Sequence, residues 1–424
     1  MSTEIDGGIS NSASRRDFLK GAAALAAGGQ ALAARGQTMR PARKARIRAY
    51  VGTYSAAKGP EPGTRANGKG IYVFEMDAAS GELTQVDIAE TKDSPSWLDF
   101  HPDGKHLYSA NEVHNFEGSS GSVSAYGIDS ATGRLRPLNT VSSEGAGPAH
   151  LSVHPSGRYV LVANYAGGTI AVLPIRPSGE LGAATDVKHD HGARGKPRAT
   201  DAPAGSFAIS GHDDGPHAHM IRSDPKGRFV LHTDLALDRI FSWKLDLESG
   251  KLEPNDPHAT PLPSGDGPRH FAFHPTGRWL YCLQEEASTI ALFDYDAERG
   301  TLAHRHTVSS LPHGFAGTSF ASEIRISSDG RFLYAGNRVH DSIAWFSIEG
   351  DGALSFGGEE WTRGDYPRSF NFDPSERFVY CCNQRADAVT LFRRDARSGR
   401  LAFTGRYFGI GTPAAIVFAL AKAP

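Results

Sequence analysis

Apolar and polar positions alternate along most of this chain in short runs rich in Val, Ile, Phe and Tyr. Turns of Pro, Gly, Ser and Asp close each run, and the pattern predicts strands joined by tight hairpins. No stretch shows the spacing of an amphipathic helix. The pattern also repeats. HPDGKHLYSANE starts at His101, HPSGRYVLVANY at His154, DPKGRFVLHTDL at Asp224, HPTGRWLYCLQE at His274, SSDGRFLYAGNR at Ser327 and DPSERFVYCCNQ at Asp373. The equivalent positions Pro102, Pro155, Pro225, Pro275, Ser328 and Pro374 lie 53, 70, 50, 53 and 46 residues apart. Repeats of this length mean blades, solenoid turns or arrays.

Each copy parses into four short strands, here called a to d. In the second, residues 149–154 give a, 159–165 give b and 168–175 give c, and a Pro-Ser-Gly turn leads to a short d. Four antiparallel strands per repeat, without helices, predict an all-β fold, a seven-bladed β-propeller. The N-terminal part supplies b (residues 47–54), c (70–77) and d (82–89) but no a, and residues 413–420 supply an a with nothing after it. One blade is therefore expected to be closed by N- and C-terminal strands, which removes an exposed sheet edge. The propeller domain spans residues 46–424. The long third interval points to an inserted loop at residues 185–215, rich in His, Asp, Gly, Ala and Pro. Other long loops are expected at 56–69, 113–121 and 311–319.

In such a blade the a–b and c–d turns share one face of the disc, and the d–a and b–c loops share the other. The recurring HPxG residues serve turn geometry, so His101, His154 and His274 read as structural. The opposite face gathers the starts of a and the ends of b, which ring the mouth of the central channel. An Asn at most b ends reads as a loop-satisfying residue, whereas departures from the repeat carry more information. These are His217 and His219 in GPHAH, Asp234, Arg269, Glu285, Arg338 and Arg368, beside His150 and His270 at the starts of their strands. Arginines, a carboxylate and imidazoles converging on one funnel suit an anionic substrate whose reaction develops negative oxygen charge.

Composition narrows the classes. Glycine (48) and proline (25) together make up about one residue in six, a surplus that fits many turns. Lys+Arg 45 against Asp+Glu 47 leaves a net charge of -2, without basic blocks past the first 48 residues, which argues against nucleic acid as a partner. The apolar run near residues 22–34 is too short and too rich in Ala and Gly to span a bilayer, so no integral membrane contact is expected. Residues 1–40 read as an export signal and linker. Ser14-Arg15-Arg16-Asp17-Phe18-Leu19-Lys20, the apolar run and Ala31-Leu32-Ala33 follow the order of a twin-arginine signal, implying a periplasmic or otherwise exported protein. Cys282, Cys381 and Cys382 read as buried thiols. The segment from Gly63 to Gly70 approaches a P-loop but lacks Ser/Thr after Lys69 and leads into a strand. His189, His191, His212, His217 and His219 lack metal-ligand spacing, so neither a metal nor another cofactor is expected.

GPHAHMIRSDPKGRFVLHTDLALDRI, GPRHFAFHPTGRWLYCLQE, SEIRISSDGRFLYAGNRVHDSIAWF and YPRSFNFDPSERFVYCCNQ occur in one order. Through these segments the chain, from about Ile47 to its C-terminus, resembles the seven-bladed propeller lactonases, which include bacterial 6-phosphogluconolactonases and are related to fungal carboxymuconate cyclases. The resemblance implies metal-free hydrolysis of a small-molecule sugar lactone, with His219, Arg269, Glu285 and Arg338 as the catalytic set. Arg325 stands as an alternative to Arg338. His150, His217, Asp234, His270, Arg325 and Arg368 are the expected substrate-binding residues. Glu285 or His219 is the base, and Arg269 with Arg338 face the oxyanion. Export separates the protein from a cytosolic sugar phosphate, which leaves the phosphorylated substrate open. A lactone-forming cycloisomerase and a non-catalytic binding module are the alternatives. A monomer is the default.

Overall fold

Twenty-eight strands among the described residues form seven sheets of four strands each, all antiparallel within a blade. The computed structural model describes residues 46–59, 64–192, 199–203 and 215–421. The signal expected at residues 1–40 and most of the inserted loop lie outside them. Blade 2 runs from Pro95 to Ser142, blade 3 from Pro148 to His189, blade 4 from Ala218 to Pro261, blade 5 from Pro268 to Ser309, blade 6 from Phe320 to Trp361 and blade 7 from Pro367 to Gly409.

Blade 1 is shared between the chain ends, as the missing a strand implied. Pro413–Ala421 pairs antiparallel with Arg46–Thr53, placing Tyr50 opposite Val417 and Arg48 opposite Ala419. The ring is closed by backbone hydrogen bonds, and the inner edge of blade 1 is covered.

Sequence pattern follows depth in the blade. The b strands are clamped between neighbouring blades, so both faces are apolar. Trp279–Gln284 and Phe378–Asn383 are buried at every position. The outer strands, such as Leu83–Glu90, are only partly covered and keep polar residues. Apolar layers lie between adjacent blades: Phe378, Tyr380 and Leu391 of blade 7 pack with Val51, Tyr72 and Phe74 of blade 1.

Two families of polar latches tie neighbouring blades together. In the HPxG turns, Nε2 of His101, His154 and His274 lies 2.9, 3.0 and 2.9 Å from the carbonyls of Gly157, Gly227 and Gly330 in the following turn. From the b strands, the hydroxyls of Tyr50, Tyr108, Tyr281, Tyr334 and Tyr380 donate to the carbonyls of Gly133, Gly179, Gly352, Gly399 and Gly81. The recurring His and Tyr thus satisfy buried carbonyls that the sheets leave without a partner.

Two local expectations change. The d strand of blade 3 is Asp186–His189, paired with Thr169–Val172, so the inserted loop begins after it and not at Thr185. Asp186 there accepts a hydrogen bond from the Leu252 N–H of blade 4 at 2.7 Å, which anchors a segment whose His and Asp content resembles a loop. The 113–121 segment is largely a hairpin extension, with its strand reaching Phe116 and Phe116 opposite Ser120.

Candidate active site

The starts of a and the ends of b meet at one mouth of the channel, and there the blades differ most. Glu285 follows the b strand of blade 5. Its N–H donates to Gly267 O at 2.6 Å, and its carbonyl accepts from Ala321 N of blade 6 at 3.0 Å. Gly267 sits at φ +72 with Glu286 Cγ 2.9 Å from where a Cβ would stand, so the tight GPR turn depends on glycine. The backbone thereby fixes the Glu285 carboxylate between two guanidiniums. Arg269 Nε lies 2.7 Å and Arg338 Nη2 2.6 Å from the same oxygen, Oε2.

The arginines are held from behind. Arg269 donates through Nη1 to the carbonyl of Ser322. Arg338 donates to Phe320 O at 3.3 Å, Ala321 O at 3.2 Å and the Tyr366 hydroxyl at 3.4 Å, with its guanidinium 5.0 Å from the Tyr366 ring centre. Side-chain exposure is 2 % for Arg269, 5 % for Arg338 and 12 % for Glu285, so the carboxylate faces the funnel and Arg269 stands behind it. Burial, reinforced by Arg338, brings Arg269 down to about 10 despite Glu285. Arg368 reaches the mouth from blade 7 and pairs with Glu112 of blade 2 at 3.0 Å. Tyr54 also donates to that carboxylate, at 2.8 Å.

His219 is buried beside this cluster, its ring 5.5 Å from Tyr165 and 5.0 Å from His270. Neither ring nitrogen makes a hydrogen bond among the described residues, and Nδ1 is shut off from solvent. Burial, then Arg269, His270, Arg368 and Arg338, hold the imidazole well below its ordinary value, so it is neutral at pH 7. His217 stacks on Tyr165 at 4.4 Å, and its Nδ1 lies 2.8 Å from Tyr165 O.

Deeper in the channel, His150 and His270 flank Trp97, with ring centres 4.6 and 5.2 Å from it. Burial and Arg269 push His270 down to about 4, and burial with His270 keeps His150 well below its ordinary value. Burial would raise Glu323, but Arg325, His270 and Arg269 outweigh it and bring the carboxyl to about 2.

Two expected substrate-binding residues are placed elsewhere. Asp234 is a buried loop clamp that accepts from His217 N at 3.1 Å and Leu237 N at 2.9 Å. Burial and neighbouring Asp190 push it up to about 8. Arg325 lies on the far side of Glu323, 3.4 Å from it, because its strand carries it toward the turn face.

Sequence reasoning passed over Glu112, Tyr54, Tyr165 and Tyr366. Glu112 was findable, since it follows Asn111 at the repeat position that Glu285 occupies after Gln284. A side pocket of about 380 Å³ adjoins Tyr54 and Glu112 and is lined also by Lys58 and His114. The His/Asp group with metal-ligand proximity among the described residues, His101, Asp103 and His106, is in an HPxG turn on the opposite face.

The fold and this mouth define a class: a seven-bladed propeller whose channel opening concentrates three guanidiniums, two carboxylates and a neutral imidazole. A family model described as "Lactonase, 7-bladed beta-propeller" matches residues 48–418, and the chain belongs to that lactonase family. The 6-phosphogluconolactonase of Bacillus subtilis is 31% identical over 375 residues, covering 87% of this chain and 97% of the relative. The periplasmic gluconolactonase of Pseudomonas aeruginosa superposes with TM-score 0.77 at 30% identity, covering 88% of this chain and 99% of that one. A putative 6-phosphogluconolactonase from Bacteroides fragilis gives TM-score 0.77 at 29% identity, covering 90% and 100%.

Proposed function

We propose that this lactonase hydrolyses a sugar 1,5-lactone to its aldonate by direct attack of water, without a metal. The observation that carries the reading is the Arg269–Glu285–Arg338 cluster with an uncharged, unengaged imidazole, His219, beside it. A mouth with three arginines is electrostatically hostile to a divalent cation and suited to an oxyanion.

In the proposed reaction, water attacks the lactone carbonyl carbon and gives its proton to His219. The carbonyl oxygen becomes an oxyanion beside Arg338 and Arg368. Collapse breaks the bond to the ring oxygen, which takes the proton back from His219 as a free hydroxyl, and the aldonic acid so formed ionises to the aldonate, releasing one proton to solvent. A neutral imidazole can accept that proton, whereas Glu285 has one oxygen already engaged by two guanidiniums. Arg269 is a positioning residue for Glu285. A lactone is an activated ester, so one weak base and prepaid electrostatics suffice. Glu285 as the base is the second reading, favoured by its greater exposure. The side pocket with Lys58 and His114 receives the far end of the sugar, including a 6-phosphate where present. Export through the N-terminal signal fits an unphosphorylated lactone and is part of the proposal.

The test is acid release from freshly made glucono-1,5-lactone and from its 6-phosphate against spontaneous hydrolysis, with and without EDTA. Acceleration that survives EDTA supports the reading, and the ratio of the two substrates assigns the phosphate. No acceleration with either, or loss on chelation, overturns it.

A further inference from the structure

The channel has a second mouth, on the face of the HPxG turns. A cavity of about 420 Å³ opens there, extending inward to Trp97 and lined among others by Asp99, Arg222, Glu323 and Arg325. We propose that this cavity is a separate binding site for a small organic oxyanion, carboxylate or phosphate, held by Arg222 and Arg325.

The charged groups of the cavity differ in what already holds them. Asp99 accepts the N–H groups of Val153 and Phe100, each at 2.9 Å, one on each oxygen. Asp224 accepts from Arg228 N at 2.7 Å and Phe229 N at 3.0 Å, its other oxygen being shut off from solvent. Glu323 faces His270 with one oxygen at 3.5 Å, and with the other Arg325 Nε at 3.4 Å and Ile324 N at 3.2 Å. Every carboxylate of the cavity therefore has internal partners. Arg222 has none: among the described residues its guanidinium makes no hydrogen bond or ion pair.

A half-buried guanidinium with five donors that no protein group uses, next to a second arginine, offers a ready partner to an anion entering the cavity. Burial lowers the Arg222 guanidinium first; Asp99 opposes this and Arg325 adds to it, so a second cation stands within electrostatic reach of the fork. The planar fork matches a carboxylate or phosphate in two-point contact, and the cavity has room for a molecule of sugar-acid size. The site is distinct from the lactonase mouth. Trp97, His150, His270 and Glu323 fill the channel between them.

Titration calorimetry of the full chain with inorganic phosphate and, separately, with citrate at constant ionic strength tests the proposal. The Arg338→Gln background removes a contribution from the other mouth. There the chain is expected to bind one equivalent, and adding Arg222→Gln weakens binding by at least about tenfold, the scale of a lost charge-assisted contact. Arg222→Lys keeps the charge without the fork and falls between. In parallel, a selenate soak of unmodified crystals should show an anomalous peak between the Arg222 and Arg325 guanidiniums, which decides the matter even where a variant fails to fold. Phosphate alone or citrate alone supports the site and assigns its preference. Unchanged affinity after Arg222→Gln, or no selenate peak in the cavity, overturns it. None of these readouts uses lactone turnover, so their failure is separable from failure of the proposed reaction.

Discussion

Replacing Glu285 by Gln keeps the shape of the side chain and one carbonyl oxygen between Arg269 and Arg338, but removes the charge that both guanidiniums share. Those arginines are 2 % and 5 % exposed, so water cannot easily take the place of the carboxylate. Breaking a buried ion pair from one side costs roughly 3–5 kcal/mol. Glu285 itself is 12 % exposed, which places the expected cost at the lower end, about 3 kcal/mol. At roughly 2.1 cal/mol/K per residue over a roughly 375-residue propeller, the unfolding entropy is about 0.8 kcal/mol/K, so Tm should fall by about 4 °C. Scanning calorimetry reads this directly. The second arm is Glu285→Gln with Arg338→Met, which removes one of the stranded charges and should recover part of the loss, giving a favourable coupling of about 1 kcal/mol or more. Turnover of the single variant should fall by at least about 100-fold. A Tm within about 1 °C of the parent, with no compensation in the double variant, would refute the view that this carboxylate neutralises the two arginines.

His219→Ala should lower kcat by at least about 100-fold with a smaller change in KM, and should remove the acid limb expected of the parent in kcat/KM. Since His219 is held below its ordinary value, that limb should lie below pH 6.5 in the parent; a Glu285→Gln variant retaining it would confirm which group is the base. The same direction governs stability. His150, His219 and His270 are neutral in the fold while the unfolded chain takes up protons below pH 6.5, so stability is fully present above that pH and is lost as pH falls toward the folded values, about 4 for His270. Urea midpoints should decline over that window, and less so in His270→Phe. Tyr281→Phe should cost about 1–3 kcal/mol in urea denaturation, because it leaves the buried Gly352 carbonyl without its donor. Deleting residues 413–424 should yield aggregated protein in size-exclusion chromatography, since the inner edge of Arg46–Thr53 then lies bare.

The repeat made the frame legible because its residues do local work. The Pro and Gly of the repeat serve the turn, and the His of the three HPxG copies reaches the next turn's carbonyl, so the motif is legible where that local work is done. The shared blade was legible from a missing a strand at one end and a spare one at the other. The site was legible only in part. Departures from the repeat pointed to Arg269, Glu285, Arg338 and Arg368, which do converge, but the same criterion chose Asp234, whose departure serves a loop. Sequence position gives the face of the disc, not the depth within it. Arg325 is two residues past Glu323 on one strand, and that distance is enough to carry it to the other mouth.

Depth also decides what each arginine can do. A guanidinium in a flexible loop would have to be reoriented as an oxyanion forms, which consumes the stabilisation it offers. Here Arg269 from blade 5 is tied to Ser322 of blade 6, Arg338 of blade 6 donates to Tyr366 at the edge of blade 7, and Arg368 of blade 7 reaches over blade 1 to Glu112 of blade 2. The three cations are thus fixed by the interblade contacts themselves. The His and Tyr latches that hold the ring rigid are far from the mouth, yet they set the spacing of the arginines. Loosening a latch such as Tyr281 should therefore lower turnover as well as Tm, although the side chain touches no part of the site.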